Sequence, residues 1–209
     1  MSRFSPDFFE SVYRETPPWD IGAAQPDLTA LLDEHPPEGA VLDVGCGTGE
    51  LLIRIVEAHR VQGLGVDRDE EKIAEASAAA KRRLPAGAVE FRAEDAANLD
   101  LQGRRYDRAI CLGSTHAFGL GQGAYEHTIA GLMRLVVPGG LILVGEPYWK
   151  QPPTPEYLSL LGEPVGIYRD HLEIVAGLDA LNGGDEHSRQ RPQCDEHQTA
   201  EDRRVRHAD

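Results

Sequence analysis

Positive charge is scarce in this sequence. The 21 lysine and arginine residues stand against 35 aspartate and glutamate residues, which leaves a formal net charge of −14. A chain this acidic repels phosphate backbones, so a broad nucleic-acid-binding surface is disfavoured unless a local basic patch exists. No apolar run approaches the ~20 residues that a membrane span needs, and no apolar stretch follows Arg3, so we expect neither a membrane segment nor a signal peptide.

Cysteine is also rare. The three cysteines are an odd number, and the spacing of Cys46, Cys111 and Cys194 fits no metal site. We therefore expect reduced thiols, no bound metal and a cytoplasmic location. The 41% of hydrophobic and 27% of charged residues are typical of a soluble globular domain.

Short apolar runs alternate with helical patterns through the middle of the chain. The predicted strands are 40–44, 63–67, 89–92, 108–112 and 141–144. Alternation at this pace predicts an α/β fold, a Rossmann-like doubly wound parallel sheet with helices on both faces.

Three regions follow from the distribution of apolar residues. We expect helices in residues 1–38, the α/β domain in residues 39–181 and a disordered polar tail in residues 182–209. Val205 is the only large aliphatic residue of that tail. The tail therefore buries too little apolar surface to offset its ordering entropy.

A glycine turn joins the first predicted strand to the next helix. Glycine at positions 45, 47 and 49 forms the pattern G-x-G-x-G, whereas a dinucleotide fingerprint needs glycine where this chain has Glu50. In an open parallel sheet, ligands bind beyond the carboxyl ends of the strands, near this first turn. The acids near the turn fit a ligand with ammonium and sulfonium charge better than a phosphate.

Further acids follow the second and third strands. Asp67 lies 22 residues (67 − 45) after Gly45, close to the ~20 expected for a carboxylate that binds ribose hydroxyls. Asp95 follows the third strand, where it can accept a hydrogen bond from an adenine amino group. Each acid alone is equally typical of a helix cap or a solvated loop. Together, behind a glycine turn, they predict a nucleoside site.

The stretches LDVGCGTG, GVD, AED and PGG-LILVGEP resemble the class I S-adenosylmethionine-dependent methyltransferase family over about residues 41–146. The resemblance implies that S-adenosyl-L-methionine is the cofactor and that these residues bind it: Asp43, Gly45, Cys46, Gly47, Gly49, Asp67, Arg68, Glu94, Asp95, Ala96, Leu112, Gly113 and Ser114. It also implies an antiparallel hairpin after the fifth strand. The residues after Glu146 show little strand-like alternation, so the sequence leaves open whether this hairpin is complete.

The segment 13–22 is similar to the N-terminal lid of small-molecule methyltransferases of the thiol, thiopurine and tellurite type. This resemblance implies that Tyr13 and Trp19 close over the cofactor and that residues 1–38 form a helical lid. An aromatic face attracts a sulfonium by ~0.5–2 kcal/mol.

Candidate catalytic and substrate residues follow the fourth and fifth strands. His116 is the best-placed general base, because histidine titrates near neutrality. The resemblance places substrate contacts at Glu146 and Tyr148. The leading interpretation is methyl transfer to a small-molecule nucleophile. The alternatives are a cofactor-binding but inactive or truncated relative, and another nucleoside-binding protein such as a nicotinamide-dependent oxidoreductase. The sequence specifies neither the methyl acceptor nor the oligomeric state.

Overall fold

The computed structural model of the chain describes residues 26–99, 101, 103–119, 123–161, 168–170 and 172–174. The helices are α1 (Pro26–Glu34), α2 (Glu50–His59), α3 (Glu70–Arg83), α4 (Ala124–Met133) and α5 (Pro155–Leu161). The strands are β1 (Val41–Val44), β2 (Gly63–Asp67), β3 (Val89–Ala93), β4 (Tyr106–Leu112) and β5 (Val136–Gly145). Tyr13, Trp19, the rest of the predicted lid before residue 26 and the tail 182–209 lie outside the described residues.

The five strands form one parallel sheet in the order β3-β2-β1-β4-β5. Strand β1 is central, and Asp43 pairs with Gly65 of β2 on one side and with Ile110 of β4 on the other. All four residues of β1 are buried, as expected for a parallel strand that is covered on both faces. The predicted Rossmann-like sheet is therefore confirmed.

Strand β5 starts five residues earlier than the sequence predicts. Val136 pairs with Tyr106, but the next paired residues are Leu141 and Arg108, so three extra residues of β5 bulge out of the ladder. Pro138 has no amide hydrogen to donate, and Gly139 adopts a φ of +80°, which suits an irregular stretch. The fifth strand predicted from the sequence starts at Leu141, after these two residues, which are of types common in turns. The structure shows them as a bulge within a longer strand.

Helices α2 and α3 begin and end at positions with clear local causes. Gly49 precedes α2 with a φ of +71°, a left-handed conformation that favours glycine. The side chain of Asp69 caps α3 by accepting hydrogen bonds from the amides of Glu71 and Lys72 at 2.9 and 3.1 Å. Arg83, in the last turn of α3, forms ion pairs with acids of α2 and thereby ties the two helices together.

The apolar core lies on both faces of the sheet. Helix α2 covers one face, where the buried cluster consists of Val41, Leu52, Ile55, Val56 and Ile110. Helix α4 contributes Leu132 to the cluster on the other face, which includes Leu42, Val44, Leu64, Val66, Ala109 and Cys111. None of the helices in the described residues is long and apolar enough to cross a membrane.

The segment after β5 packs around one tryptophan. The ring of Trp149 contacts Tyr157 and Tyr168 edge-on, with centroid distances of 6.0 and 5.4 Å. The Trp149 amide donates to the carbonyl of Arg169, whose guanidinium pairs with Glu126 of α4. Of the residues beyond 161, only 168–170 and 172–174 are described, so the predicted C-terminal hairpin falls mostly outside them.

Candidate cofactor-binding and active site

A cavity of about 250 Å³ lies at the carboxyl ends of β1, β2, β3 and β4. Eight residues of its lining belong to the predicted site: Gly45, Asp67, Arg68, Glu94, Asp95, Ala96, Ser114 and His116. Four further lining residues were not predicted as site residues: Val66, Ala97, Ala117 and Gly119. The cavity is at the position where an open parallel sheet binds its ligand.

The glycine turn forms one wall of this cavity. Gly45 adopts a φ of +72°, and its amide donates to the carbonyl of Val66 at 2.8 Å. A Cβ atom on Gly45 would overlap the side chain of Ser114. At Gly49 a Cβ atom would approach Phe91 at 2.5 Å and Ala76 at 2.9 Å. Glycine at 45 and 49 is therefore required by close packing as well as by backbone conformation.

Asp67 joins the end of β2 to the glycine turn. Its Oδ2 accepts from the amide of Gly47 at 2.9 Å, and its Oδ1 accepts from the amide of Asp69 at 3.0 Å. An ionised carboxylate has about four lone-pair positions, so Asp67 keeps acceptor capacity beyond these two bonds. This remaining capacity fits a ligand with hydroxyl donors, such as a ribose.

The end of β3 supplies the next acids. The amide of Glu94 donates to the carbonyl of Asp67 at 2.9 Å, which holds the ends of β2 and β3 together. Asp95 accepts from the amide of Ala97 at 2.9 Å through Oδ1 and caps the short 3-10 helix Ala96–Asn98. The helix-cap role considered for Asp95 is thus present, and the same residue lines the cavity.

Asp43 lies beneath the turn and is only 3% exposed. Burial, and secondarily the charge of Asp67, raise the pKa of Asp43 to about 7. Burial also raises the pKa of the Cys46 thiol, with Asp43 and Asp67 adding to the shift. This part of the site is therefore rich in negative charge, and a positively charged ligand would relieve the repulsion.

A hydrogen-bonded network holds the loop that carries His116. Glu146, just after β5, accepts from the amide of Thr115 at 2.8 Å through Oε1. The buried hydroxyl of Thr128 lies 2.7 Å from the carbonyl oxygen of Ala124 and 3.1 Å from that of Thr115, so its one hydrogen is shared between the two. These contacts fix the 3-10 helix Thr115–Phe118, which places His116 in the cavity wall. The contact seen for Glu146 is structural, and a substrate contact stays a prediction.

Several predicted site residues lie outside the lining of this cavity: Asp43, Cys46, Gly47, Gly49, Leu112, Gly113, Glu146 and Tyr148. Four of them, Cys46, Gly47, Gly49 and Gly113, lie in the turns that follow β1 and β4. Tyr148 is 42% exposed. Among the residues that the structure describes, no group of three histidine, cysteine or acidic side chains is placed to hold a metal ion.

The residues present fit an adenosyl cofactor with a positive charge. The glycine turn admits a close approach of ligand to backbone, Asp67 and Asp95 supply acceptors, and the buried Asp43 favours a nearby cation. A pyrophosphate would fit less well, because it would bring further negative charge to these acids.

Comparison with known proteins agrees with this interpretation. A family model described as a methyltransferase domain matches residues 41–140. A solved S-adenosylmethionine-dependent methyltransferase from Geobacter sulfurreducens, in complex with S-adenosyl-L-homocysteine, is 31% identical with a TM-score of 0.68. That similarity covers 85% of this chain and 70% of the Geobacter chain.

Two curated relatives are similar over shorter stretches. The Escherichia coli K12 protein YjhP is 34% identical over 123 residues, which are 59% of this chain and 48% of YjhP. A dTDP-3-amino-3,6-dideoxy-alpha-D-glucopyranose N,N-dimethyltransferase from Streptomyces fradiae is 32% identical over 136 residues, 64% of this chain and 49% of that protein. The chain thus spans about half the length of these curated relatives. The fold, the site and the Geobacter structure together establish that the chain belongs to the class I S-adenosylmethionine-dependent methyltransferase family.

Proposed function

We propose that this protein transfers a methyl group from S-adenosyl-L-methionine to a small-molecule nucleophile. The observation that carries the proposal is the cavity at the carboxyl ends of the strands, where the glycine turn meets Asp67 and Asp95. The Streptomyces relative is named as a dimethyltransferase of a nucleotide sugar, and a Penicillium expansum relative as an O-methyltransferase. The first name supports a nitrogen nucleophile on a small molecule, and the second supports an oxygen nucleophile.

The cofactor-holding roles follow from the described contacts. Gly45 and Ser114 lie against each other and would border the cofactor's methionyl part. Asp67 would accept from ribose hydroxyls with the lone pairs that its bonds to Gly47 and Asp69 leave available. Asp95 and Ala96 would bind the adenine edge, and Arg68 would flank it. When bound, the cofactor supplies an electrophilic methyl group on a sulfonium whose leaving group is neutral.

The protein's own contribution is alignment and removal of a proton. A nucleophile that is held in line with the methyl–sulfur bond in a dry pocket needs little further assistance. His116 lies in the cavity wall on a 3-10 helix that Glu146 and Thr128 hold in place. His116 would remove the proton from an acceptor that arrives protonated, and an acceptor that is already an anion would not need it.

The substrate side of the proposal includes the N-terminal lid. If the segment 13–22 is a lid like that of the thiol, thiopurine and tellurite methyltransferases it resembles, Tyr13 and Trp19 would close over the cofactor, and sulfur and metalloid acceptors join the candidates. Residues 182–209 would remain a solvated tail. The free thiols of Cys46 and Cys111 support a reducing compartment such as the cytoplasm.

Turnover with a panel of acceptors tests this function. The purified chain is incubated with methyl-labelled S-adenosylmethionine and with thiols, amines, phenols and metalloid oxyanions. We expect label transfer to at least one class, together with formation of S-adenosylhomocysteine. The His116→Ala variant should lower turnover of protonated acceptors by about 10²-fold or more, and of oxyanions far less.

The same assay separates the active enzyme from its inactive alternative. Calorimetric binding of the cofactor with no label transfer to any class would favour a cofactor-binding protein without methyltransferase activity. If His116→Ala lowers turnover equally for protonated and anionic acceptors, His116 is not a general base. It would then be a structural residue of the cavity wall.

A further inference from the structure

The short helix that carries His116 is capped by a residue from another strand. The first amides of any helix lack acceptors within the helix, and a side-chain oxygen from the residue just before it commonly satisfies one of them. In the 3-10 helix Thr115–Phe118 this oxygen belongs to Glu146, whose Oε1 accepts from the Thr115 amide at 2.8 Å. The cap therefore comes from the residue that follows β5, 31 residues along the chain.

Ser114 occupies the usual capping position, but its side chain forms part of the cavity wall instead. Its hydroxyl lies 3.3 Å from the carbonyl oxygen of Leu112 and 3.5 Å from that of Gly45. Among the described residues, this hydroxyl caps no amide of the helix. A Cβ atom on Gly45 would overlap the Ser114 side chain, so the two residues pack closely. Ser114 thus borders the cavity, and Glu146 caps the helix in its place.

Other contacts hold the remainder of this helix to α4. A Cβ atom on Gly131 would approach the ring of Phe118 to 2.8 Å, so the last residue of the helix packs directly on α4. The hydroxyl of Thr128, also in α4, lies 3.1 Å from the carbonyl oxygen of the first residue of the helix. Removal of the Glu146 oxygen would therefore leave the helix attached and release mainly its first turn, which includes His116.

We propose that Glu146 is a positioning residue for methyl transfer: by capping the helix Thr115–Phe118, its carboxylate oxygen holds His116 where it removes the proton of the methyl acceptor. This inference rests on the proposed function, because it requires His116 to act as the general base. The role needs an acceptor oxygen at the distance of Glu146 from the Thr115 amide, and it does not need a negative charge.

Substitutions at Glu146 separate the position of the oxygen from its charge. Glu146→Gln keeps an acceptor oxygen at the same length, so kcat with a protonated acceptor should stay within about threefold of the parent. Glu146→Asp keeps the charge but is one methylene shorter, so its oxygen no longer meets the Thr115 amide. Its kcat should fall about tenfold or more, and that of Glu146→Ala at least as far. The KM of the acceptor and the calorimetric Kd of S-adenosylmethionine should change by less than about threefold.

A double-mutant cycle tests whether the effect passes through His116. If it does, adding Glu146→Asp to His116→Ala should cost no further turnover, whereas independent effects would multiply. Glu126→Gln is the matched control. Burial, and then the charges of Glu146 and Glu126, raise the pKa of Tyr125, so both acids lie in one region. Glu126 pairs with Arg169 of the C-terminal segment, and its variant should keep the kinetics of the parent.

The ranking of Glu146→Gln above Glu146→Asp carries the test even if Glu146→Ala does not fold. Parent-like kcat in Glu146→Asp, an equal loss in Glu146→Gln or a further loss in the double variant would overturn the proposal. A higher KM with unchanged kcat would overturn it too, since Glu146 would then contact the substrate. If His116→Ala leaves turnover of protonated acceptors unchanged, the inference fails while methyl transfer stands. A parent protein that methylates no acceptor overturns both.

Discussion

Acidic residues play opposite roles at the two ends of the strands. We call the side of the sheet at the strands' amino-terminal ends the amino edge and the side at their carboxyl-terminal ends the carboxyl edge. At the amino edge Asp107 is fully engaged within the protein: it accepts from the amides of Glu38 and Gly39 at 2.8 and 3.2 Å and pairs with Arg108 at 2.9 Å. Arg108 in turn donates to the carbonyl of Pro36 at 3.0 Å. At the carboxyl edge Asp43 and Asp67 lie near each other, and the charge of Asp67 works against ionisation of Asp43.

Cavity size does not distinguish the two edges. A cavity of about 400 Å³ lies at the amino edge, lined by residues 37–40 and 59–62, and it is larger than the one at the carboxyl edge. Its lining includes Glu38 together with His59 and Arg60, so its charges are mixed. What marks the carboxyl edge is the excess of acids around a left-handed glycine turn. The comparison teaches that unbalanced charge, rather than volume, indicates where this fold receives a ligand.

The largest effect should come from removing the buried acid of the carboxyl edge. The pKa of Asp43 rises from 3.8 to about 7 on folding, so the folded state holds a proton between these pH values and loses stability as the pH rises through them. Asp43→Asn has no such loss. The unfolding free energy of the variant minus that of the parent should therefore be about 4 kcal/mol more favourable at pH 8 than at pH 4.

Urea unfolding of both proteins over this pH range measures the difference. A difference that stays constant with pH would show that folding does not shift the pKa of Asp43, and the contrast between the two edges would then be lost.

A second prediction concerns the glycine turn that distinguishes the carboxyl edge. Alanine at either Gly45 or Gly47 must adopt a positive φ, which costs about 1–2 kcal/mol. Gly45→Ala also drives a methyl group into Ser114, whereas a Cβ on Gly47 meets no atom within 4 Å. We expect Gly45→Ala to lose about 3 kcal/mol of stability in total and to weaken cofactor binding at least tenfold.

Gly47→Ala is the matched control, since it carries the backbone strain without the overlap. Thermal unfolding and calorimetric affinity should rank the parent first, Gly47→Ala second and Gly45→Ala last. Indistinguishable variants would mean that contact with Ser114 does not shape the cavity wall.

The third prediction compares the loss of one aspartate from each edge, Asp107 and Asp67. Asp107→Ala removes an ion pair and two amide contacts at the amino edge and should lower stability by about 2 kcal/mol without changing cofactor affinity. Asp67→Ala should weaken S-adenosylmethionine binding by more than about 1 kcal/mol, through loss of charged acceptor bonds. Calorimetry on both folded variants provides the comparison. Unchanged affinity in Asp67→Ala would show that Asp67 does not bind the cofactor. Weaker cofactor binding by Asp107→Ala would show that the two edges are coupled.

Much of the fold could be predicted from local patterns. The parallel sheet followed from apolar runs separated by helical spacing, because strands covered on both faces have few polar positions, and β1 is buried throughout. The glycine turn could be predicted because backbone positions with a positive φ favour glycine, and the spacing of the glycines is visible in the sequence. The start of β5 was missed, since Pro138 and Gly139 are typical of turns and only the pairing of Val136 with Tyr106 makes them a bulge.

The cavity lining was harder to predict for a different reason. Ala97, Ala117 and Gly119 line it because turns bring their backbones to the carboxyl edge, and small side chains carry no pattern of their own. The bond from the Thr115 amide to Glu146 spans 31 residues, so no local signal could assign the acid to that role. The pKa of Asp43 likewise depends on its burial, which is a property of the packed sheet.

The acids beneath the glycine turn also affect how readily the nearby cysteine can be alkylated. A protein that binds an electrophilic methyl donor beside a cysteine risks alkylating itself, and a thiolate is the form that reacts. Burial, Asp43 and Asp67 all raise the pKa of Cys46, so at physiological pH this sulfur stays a thiol. Under the proposed function, the same negative charge that favours a cation would therefore keep the protein's own sulfur from competing with the acceptor for the methyl group.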